Sequence, residues 1–390
     1  MKKKFQRGNV LLISSSHFIH DVYTAFLAPM LPLIIAKLGI SLSMAGLLDV
    51  VRKIPSLFNP FIGILADKVS LRFLVIFMPA VTAVTMSLLG IAPSYLVLLI
   101  LLFVTGISTA LYHVPAPVMV KQMAGDETGR GMSRFMLGGE LARTAGPLII
   151  TSVIALGGLE SSWKMMPLGI AATVILFFKL RKIEFTQPQR KADSLSRGKT
   201  FRKLLPFFIT ISGISLFRAM IKLSLTLYLP TYLTGKGNAV WIAGISLSVL
   251  QLSGAAGTYF AGTLSDKFGR KRMLLLVSLV NPVLMWLFIS SNSIFTFPLL
   301  LLSGFFLFAS GPVMLAMVQD TDTEHPAFVN GIYMTVNFGI SSLIVLLIGV
   351  LGDTWGLEIT YKICALVSFG AVPFVWMIKK KDNFPKLSHF

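Results

Sequence analysis

Cysteine is nearly absent: Cys364 is the single one in 390 residues, so no internal disulfide, cysteine-based zinc site or iron–sulfur cluster can be built. Histidine is scarce too, with five residues scattered too widely along the chain to suggest a metal cage. Charged side chains make up only 13% of the sequence, about half the share of a soluble domain. No His-Glu-x-x-His, Gly-x-Ser-x-Gly or Walker-type loop occurs, which argues against a membrane-embedded enzyme. No catalytic residue, metal or cofactor is expected.

Apolar residues, by contrast, form 55% of the chain, and the mean hydropathy is +0.79. A soluble globule of this length cannot hide so much apolar surface. Stretches long enough to cross a bilayer as helices recur twelve times, at 10–35, 42–66, 73–91, 95–120, 135–156, 165–178, 205–233, 240–264, 273–290, 295–318, 328–351 and 361–378. The expected fold class is an all-α integral membrane protein of twelve transmembrane helices.

The net charge of +19 invites a nucleic-acid reading, but the placement of the charges explains it better. Twenty-six basic residues fall on the N-terminal tail, on alternate loops and on the C-terminal tail, against only Lys37, Lys164, Lys236 and Lys362 on the other side. Basic loops stay cytoplasmic, so both termini are expected in the cytoplasm and no nucleic-acid partner is implied. The first span is long and lacks a small-x-small cleavage site on its outer flank, so no cleavable signal is expected. The partner is a lipid bilayer, expected to be a bacterial inner (cytoplasmic) membrane, with the protein a monomer.

The longest polar stretch, 179–203, is basic, contains Pro188 and several serines, and reads as a linker along the membrane surface. It divides the chain into six-helix bundles at 1–178 and 204–390. A repeat supports the division: Gly63-Ile-Leu-Ala-Asp67-Lys68 recurs as Gly262-Thr-Leu-Ser-Asp266-Lys267, while Ala45-Gly46 matches Ala243-Gly244 and Leu31-Pro32 matches Leu229-Pro230. Parallel repeats of this kind place a substrate site near mid-membrane.

The run Gly262-Thr-Leu-Ser-Asp266-Lys267-Phe-Gly269-Arg270-Lys271-Arg272 resembles the loop signature of the major facilitator superfamily, and Gly63 to Arg72 is a partial copy with Ser70 where glycine is usual. Three further passages resemble the fosmidomycin-resistance group of efflux proteins: Ser16 to Pro29, with His17, His20 and Asp21; Tyr112-His113-Val-Pro115-Ala116; and Gly138-Gly139 through Gly146-Pro147. The resemblance implies a carrier with two pseudo-symmetric six-helix bundles working by alternating access. It also implies a gating role for Gly63, Asp67, Lys68, Arg72, Gly262, Asp266, Lys267, Arg270, Lys271 and Arg272. The acidic loop with Asp320, Asp322 and Glu324 could pair with Arg270–Arg272, and Asp126 and Glu127 with Lys68 and Arg72. Gly138, Gly139, Gly146 and Pro147 are similar to the superfamily's antiporter signature, hence an expectation of export; physically they provide a smooth face for close helix packing.

Ionisable residues inside spans cost at least ~2.5 kcal/mol each on insertion scales and are functional candidates by default. His17 and Asp21 share a helix face at a spacing of four; Asp49 precedes Arg52 by three and Lys53 by four; Glu140 precedes Arg143 by three; Arg218 and Lys222 are four apart. Within the spans the acids Asp21, Asp49 and Glu140 face five bases. If each acid takes one base, two bases are left over, and Arg218 and Lys222 have no acid within reach on their own helix. Asp21, His17, His113 and Glu140 are the candidates for proton coupling; His20, Arg52, Lys53, Arg143, Arg218 and Lys222 are the candidates for binding a small anionic substrate. The pairs Asp49–Arg52/Lys53 and Glu140–Arg143 also read as purely structural. Export of an anion against protons is the reading; proton-coupled uptake of a carboxylate or metal-chelator complex stays open beside it.

Overall fold

A computed structural model of the protein describes residues 5–59, 62, 72–181, 197–291, 293–321 and 326–378. Backbone N–H and C=O groups find no water inside a bilayer, so an apolar chain crosses it by satisfying them within each segment. The described chain accordingly consists of helices and short 3-10 turns, with no strand among the described residues. Its helices are α1 (Arg7–Thr24), α2 (Leu27–Leu38), α3 (Leu42–Lys53), α4 (Arg72–Ser87), α5 (Tyr95–His113), α6 (Pro115–Ala124), α7 (Thr128–Gly157) and α8 (Met166–Leu180). They continue with α9 (Arg197–Thr226), α10 (Leu229–Gly235), α11 (Val240–Phe268), α12 (Arg270–Ser290), α13 (Thr296–Gln319), α14 (Pro326–Ser368) and α15 (Ala371–Trp376).

Ten helical stretches among the described residues are long and apolar enough to cross a membrane. One of them, Val329–Trp376, is 48 residues long, about 72 Å at 1.5 Å per residue, more than twice the ~30 Å of a hydrocarbon core. It is interrupted at Gly356, whose φ of 78° departs from helical geometry. The expected second span is described up to residue 59, as α3 followed by the 3-10 turn Ile54–Phe58. Gly63, Asp67 and Lys68 lie outside the described residues, as do Asp322 and Glu324.

The chain divides into two compact units, Met1–Lys191 with Leu233–Ser248, and Ala192–Tyr232 with Val249–Phe390. In the first unit α1 packs most extensively on α7. Glycines make this approach possible: a Cβ on Gly146 would sit 2.7 Å from Ala25 Cβ, and one on Gly139 2.6 Å from a ring carbon of His17. The apolar core around them includes Val10, Ile13, Val75, Ala116, Phe135 and Leu176. In the second unit α9 packs on α14, around Ile211, Ile214, Met273, Val313 and Val375. Buried tyrosines tie helices together through their hydroxyls, as apolar rings with a polar tip must: Tyr23 Oη donates to Met165 O at 2.7 Å and Tyr228 Oη to Val345 O at 3.0 Å. Outward-facing apolar side chains such as Leu156, Phe178 and Leu343 stay exposed, as a lipid-facing surface requires.

Helix breaks fall beside ionisable residues. The helical hydrogen-bond pattern is interrupted between α1 and α2, one turn after Asp21, and between α5 and α6 just after His113, where Pro115 has no N–H to extend it.

Candidate functional site

In the first unit, four helices meet around Asp21. The carboxylate is 4% exposed. His17 Nε2 lies 3.3 Å from Oδ2, one turn back on α1, His20 Nδ1 lies 3.0 Å from Oδ1, and His113 Nε2, at the end of α5, lies 3.2 Å from Oδ1. The Nε2 atoms of His17 and His113 are 3.2 Å apart. Aromatic rings hold the imidazoles flat: Phe135 stacks on His17 at 4.0 Å and Tyr112 on His20 at 4.4 Å between centroids. Gly139 of α7 leaves room for His17, since a Cβ there would also approach Asp21 Oδ2 to 3.4 Å.

The opposite ring nitrogens are all committed. His17 Nδ1–H donates to Phe135 O at 2.7 Å, and His113 Nδ1–H to Thr109 O at 3.0 Å, because a carbonyl can only accept. His20 is fixed through a relay. Ser108 Oγ–H donates to Met78 O at 2.9 Å, so Thr82 must donate to Ser108 across 2.7 Å. His20 Nε2–H must then donate to Thr82 Oγ1 across 3.0 Å. Network logic thus assigns all three tautomers. Each imidazole turns its remaining nitrogen toward Asp21. With all three neutral and Asp21 ionised, only lone pairs would face one another, so the cluster requires at least one further proton to hold it together.

Scatter along the chain did not carry over into space: the donor atoms of His17, Asp21 and His113 lie within 4.8 Å of one another, close enough to share a small cation, a proton first of all. His113 is the open side of the cluster, its side chain one-third exposed (33%).

The other acids are spent on bases. Asp49, buried on α3, accepts from Arg52 Nη2 at 2.7 Å and from Lys53 Nζ at 2.5 Å, while Arg52 Nη1 also donates to Thr24 O at the end of α1 across 3.0 Å. Arg143 Nη1 donates to Glu140 Oε1 at 2.6 Å. The one-acid-per-base expectation is therefore corrected: Asp49 takes two bases, Glu140 one and Asp21 none. Replacing Asp49 by alanine would strand two cations in an apolar helix bundle. Breaking a buried pair this way costs about 3–5 kcal/mol. Because Arg52 and Lys53 are a fifth to a third exposed, we expect a loss nearer the ~2–3 kcal/mol level. Thermal unfolding in detergent would read it as a lowered midpoint, and an unchanged midpoint would refute the role.

In the second unit Arg218 of α9 has no carboxylate partner among the described residues. Its Nη1 donates to Ser310 Oγ of α13 at 2.9 Å, and its Nε is buried without a partner. It lines a small crevice of about 20 Å³ together with Asn281, Ser278 and Ser310. Lys222 differs from the expectation of a pairless base: its Nζ lies over the Phe308 ring, 5.7 Å from the centroid, a cation–π contact.

On the loop between α11 and α12, Arg270 Nη2 pairs with Asp320 at 2.8 Å and lies 3.8 Å from Asp266. Lys271 Nζ donates to the carbonyls of Trp376 and Ile378 at 2.7 and 2.9 Å, capping the C-terminal end of α15. Lys267 and Arg272 are exposed, and Gly262 lies within α11. Glu127 departs from expectation by accepting from Arg130 at 2.7 Å, and Arg72 stacks over Phe73 at 4.9 Å.

Sequence reasoning missed Thr82, Ser108, Asn281 and Ser310. The signal that could have found them is a small polar residue in an otherwise apolar span, which gains value only once its facing helix is known.

Membrane-length helices that carry buried, hydrogen-bonded ions in their interior fit a membrane carrier. Residues 13–346 match the Major Facilitator Superfamily. The Fosmidomycin resistance protein of Escherichia coli (strain K12) is 23% identical over 379 residues, covering 94% of this chain and 91% of that protein. The Multi-drug resistance efflux pump PmrA homolog of Lactococcus lactis subsp. lactis (strain IL1403) is 27% identical over 268 residues, 64% of each chain. Among solved structures, a bacterial homolog of the human lysosomal transporter Spinster, inward-facing and unoccupied, superposes with a TM-score of 0.83 at 15% identity, covering 98% of both chains. The chain belongs to the major facilitator superfamily. It is an integral, multi-pass membrane transporter and not an enzyme.

Proposed function

We propose that this transporter exports a small anionic organic compound, a phosphonate antibiotic of the fosmidomycin type among its candidates, in exchange for protons across a bacterial inner membrane. Twelve spans, cytoplasmic termini, alternating access and a monomeric state belong to the same reading. One contrast carries it. Asp49 and Glu140 are used up on neighbouring bases, whereas among the described residues Arg218 bonds to a serine hydroxyl and Asp21 to imidazoles. A guanidinium without a carboxylate suits bidentate capture of a phosphonate or carboxylate. A carboxylate ringed by three imidazole lone pairs suits the taking up and giving off of protons. The Arg270–Asp320 pair supports a cytoplasmic latch that opens and closes as the carrier works. Export is supported by the resistance and efflux relatives and by the glycine face of α7 against α1.

Inside-out membrane vesicles test the direction. With an acidic lumen, labelled fosmidomycin should accumulate inside, and a protonophore should abolish the accumulation. Concentrative uptake into right-side-out vesicles from an acidic exterior would instead establish import.

A further inference from the structure

The imidazoles around Asp21 present lone pairs, and a proton is not the only cation that lone pairs attract. His17 Nε2 and His113 Nε2 lie 3.2 Å apart. The first is 3.3 Å from Asp21 Oδ2 and the second 3.2 Å from Oδ1. Donor atoms held at about 2.0–2.1 Å by a tetrahedral ion stand about 3.3–3.4 Å from one another. The two nitrogens and the carboxylate therefore keep the spacing of three corners around such an ion. His17 and Asp21 come from one turn of α1 and His113 from the end of α5, which explains why their spread along the sequence hid the set.

The far sides of both rings are already arranged as ligands require. A metal-bound imidazole almost always donates its other N–H to a carbonyl or carboxylate, which fixes its tautomer and orientation. His17 Nδ1–H donates to Phe135 O at 2.7 Å and His113 Nδ1–H to Thr109 O at 3.0 Å. Phe135 also stacks on the His17 ring, so little side-chain freedom remains to be lost on binding. Asp49 and Glu140, by contrast, face basic side chains that would repel a cation.

We infer that His17, Asp21 and His113 form a binding site for a divalent transition-metal ion of the zinc type. Two nitrogens and one oxygen suit zinc and its neighbours, while magnesium and calcium prefer all-oxygen sets. Three protein ligands leave a fourth position for water, and the partly exposed His113 side chain gives the ion its way in. Such a site binds its ion whether or not Asp21 couples protons to transport.

Calorimetric titration of zinc chloride into the purified full-length protein, free of any histidine tag, tests the site. One ion should bind per chain and raise the melting temperature. His113→Ala and His17→Ala should each weaken binding by more than about 10-fold, since even a partner hydrogen-bonded to a ligand costs that much when removed. Asp21→Asn keeps the shape of the side chain, so its loss of affinity reads the carboxylate where a histidine variant fails to fold. Excess magnesium should not compete. Cobalt in place of zinc should show the intense visible absorption of a tetrahedral ion, and His113→Ala should remove it. His325→Ala, a change far away in the sequence, should leave binding unaltered. Absence of saturable zinc binding, binding that survives both His113→Ala and Asp21→Asn, or binding lost with His325→Ala overturns the site.

Discussion

Asp21→Asn is expected to abolish proton-driven accumulation while leaving substrate binding nearly intact. An asparagine is close to the aspartate in shape, so the packing of α1 against α5 and α7 should survive. What it removes is the negative charge that draws an extra proton in among three converging imidazole nitrogens. Protons and substrate act on each other through a coupling free energy that is reciprocal and typically worth about 5- to 150-fold. Loss of the coupling proton should leave the concentration ratio no longer responsive to the pH gradient. Counterflow, which exchanges labelled for unlabelled substrate without net proton movement, should continue. If the variant still concentrates substrate in response to the gradient, Asp21 is not the coupling site. His113→Ala offers a graded comparison, since it removes the one-third-exposed imidazole through which the cluster opens.

Arg218→Ala should weaken binding of an anionic substrate by about 2–5 kcal/mol, the loss seen when one partner of a hydrogen-bonded charge pair is truncated. The sign of its effect on stability distinguishes a binding role from a structural one. With no carboxylate partner among the described residues, Arg218 carries a desolvation cost that the bond to Ser310 does not offset. The unliganded variant should therefore melt at the same temperature as the wild type or higher, and lose only the upward shift that ligand confers. Arg218→Lys keeps the charge but not the planar fork, so an intermediate affinity is expected. A variant that unfolds early yet binds normally once folded would make Arg218 a packing residue. Asp49 behaves in the opposite way: its removal should cost stability because two cations lose their partner.

Much of the candidate site was legible in the spacing of residues on single helices. The pairs Asp49–Arg52, Asp49–Lys53, Glu140–Arg143 and His17–Asp21 all follow from separations of three or four, which place side chains on one helical face. The family's glycine-rich stretch likewise reads as a close-packing face, and the contact of Gly139 with His17 shows which neighbour it meets. Legibility stopped where partners come from different helices. His20 was expected to face substrate, yet it leans on Asp21 and on Thr82, 62 residues away. Lys222 was expected to be pairless, yet an aromatic ring on α13 lies under it.

Sequence alone determined that this protein lives in a membrane, that it is helical, and that a handful of ions sit inside its spans. Those properties depend on local windows of chain, because the bilayer acts as a uniform apolar solvent that every 20-residue segment meets on its own terms. Tertiary structure decided which ion answers which. Five bases and three acids can be matched in many ways, and the choice rests on which helix faces meet and how closely glycines let them approach. That choice leaves Asp21 among imidazoles and Arg218 on a serine hydroxyl, and it is fixed by packing between segments some hundred residues apart in the chain.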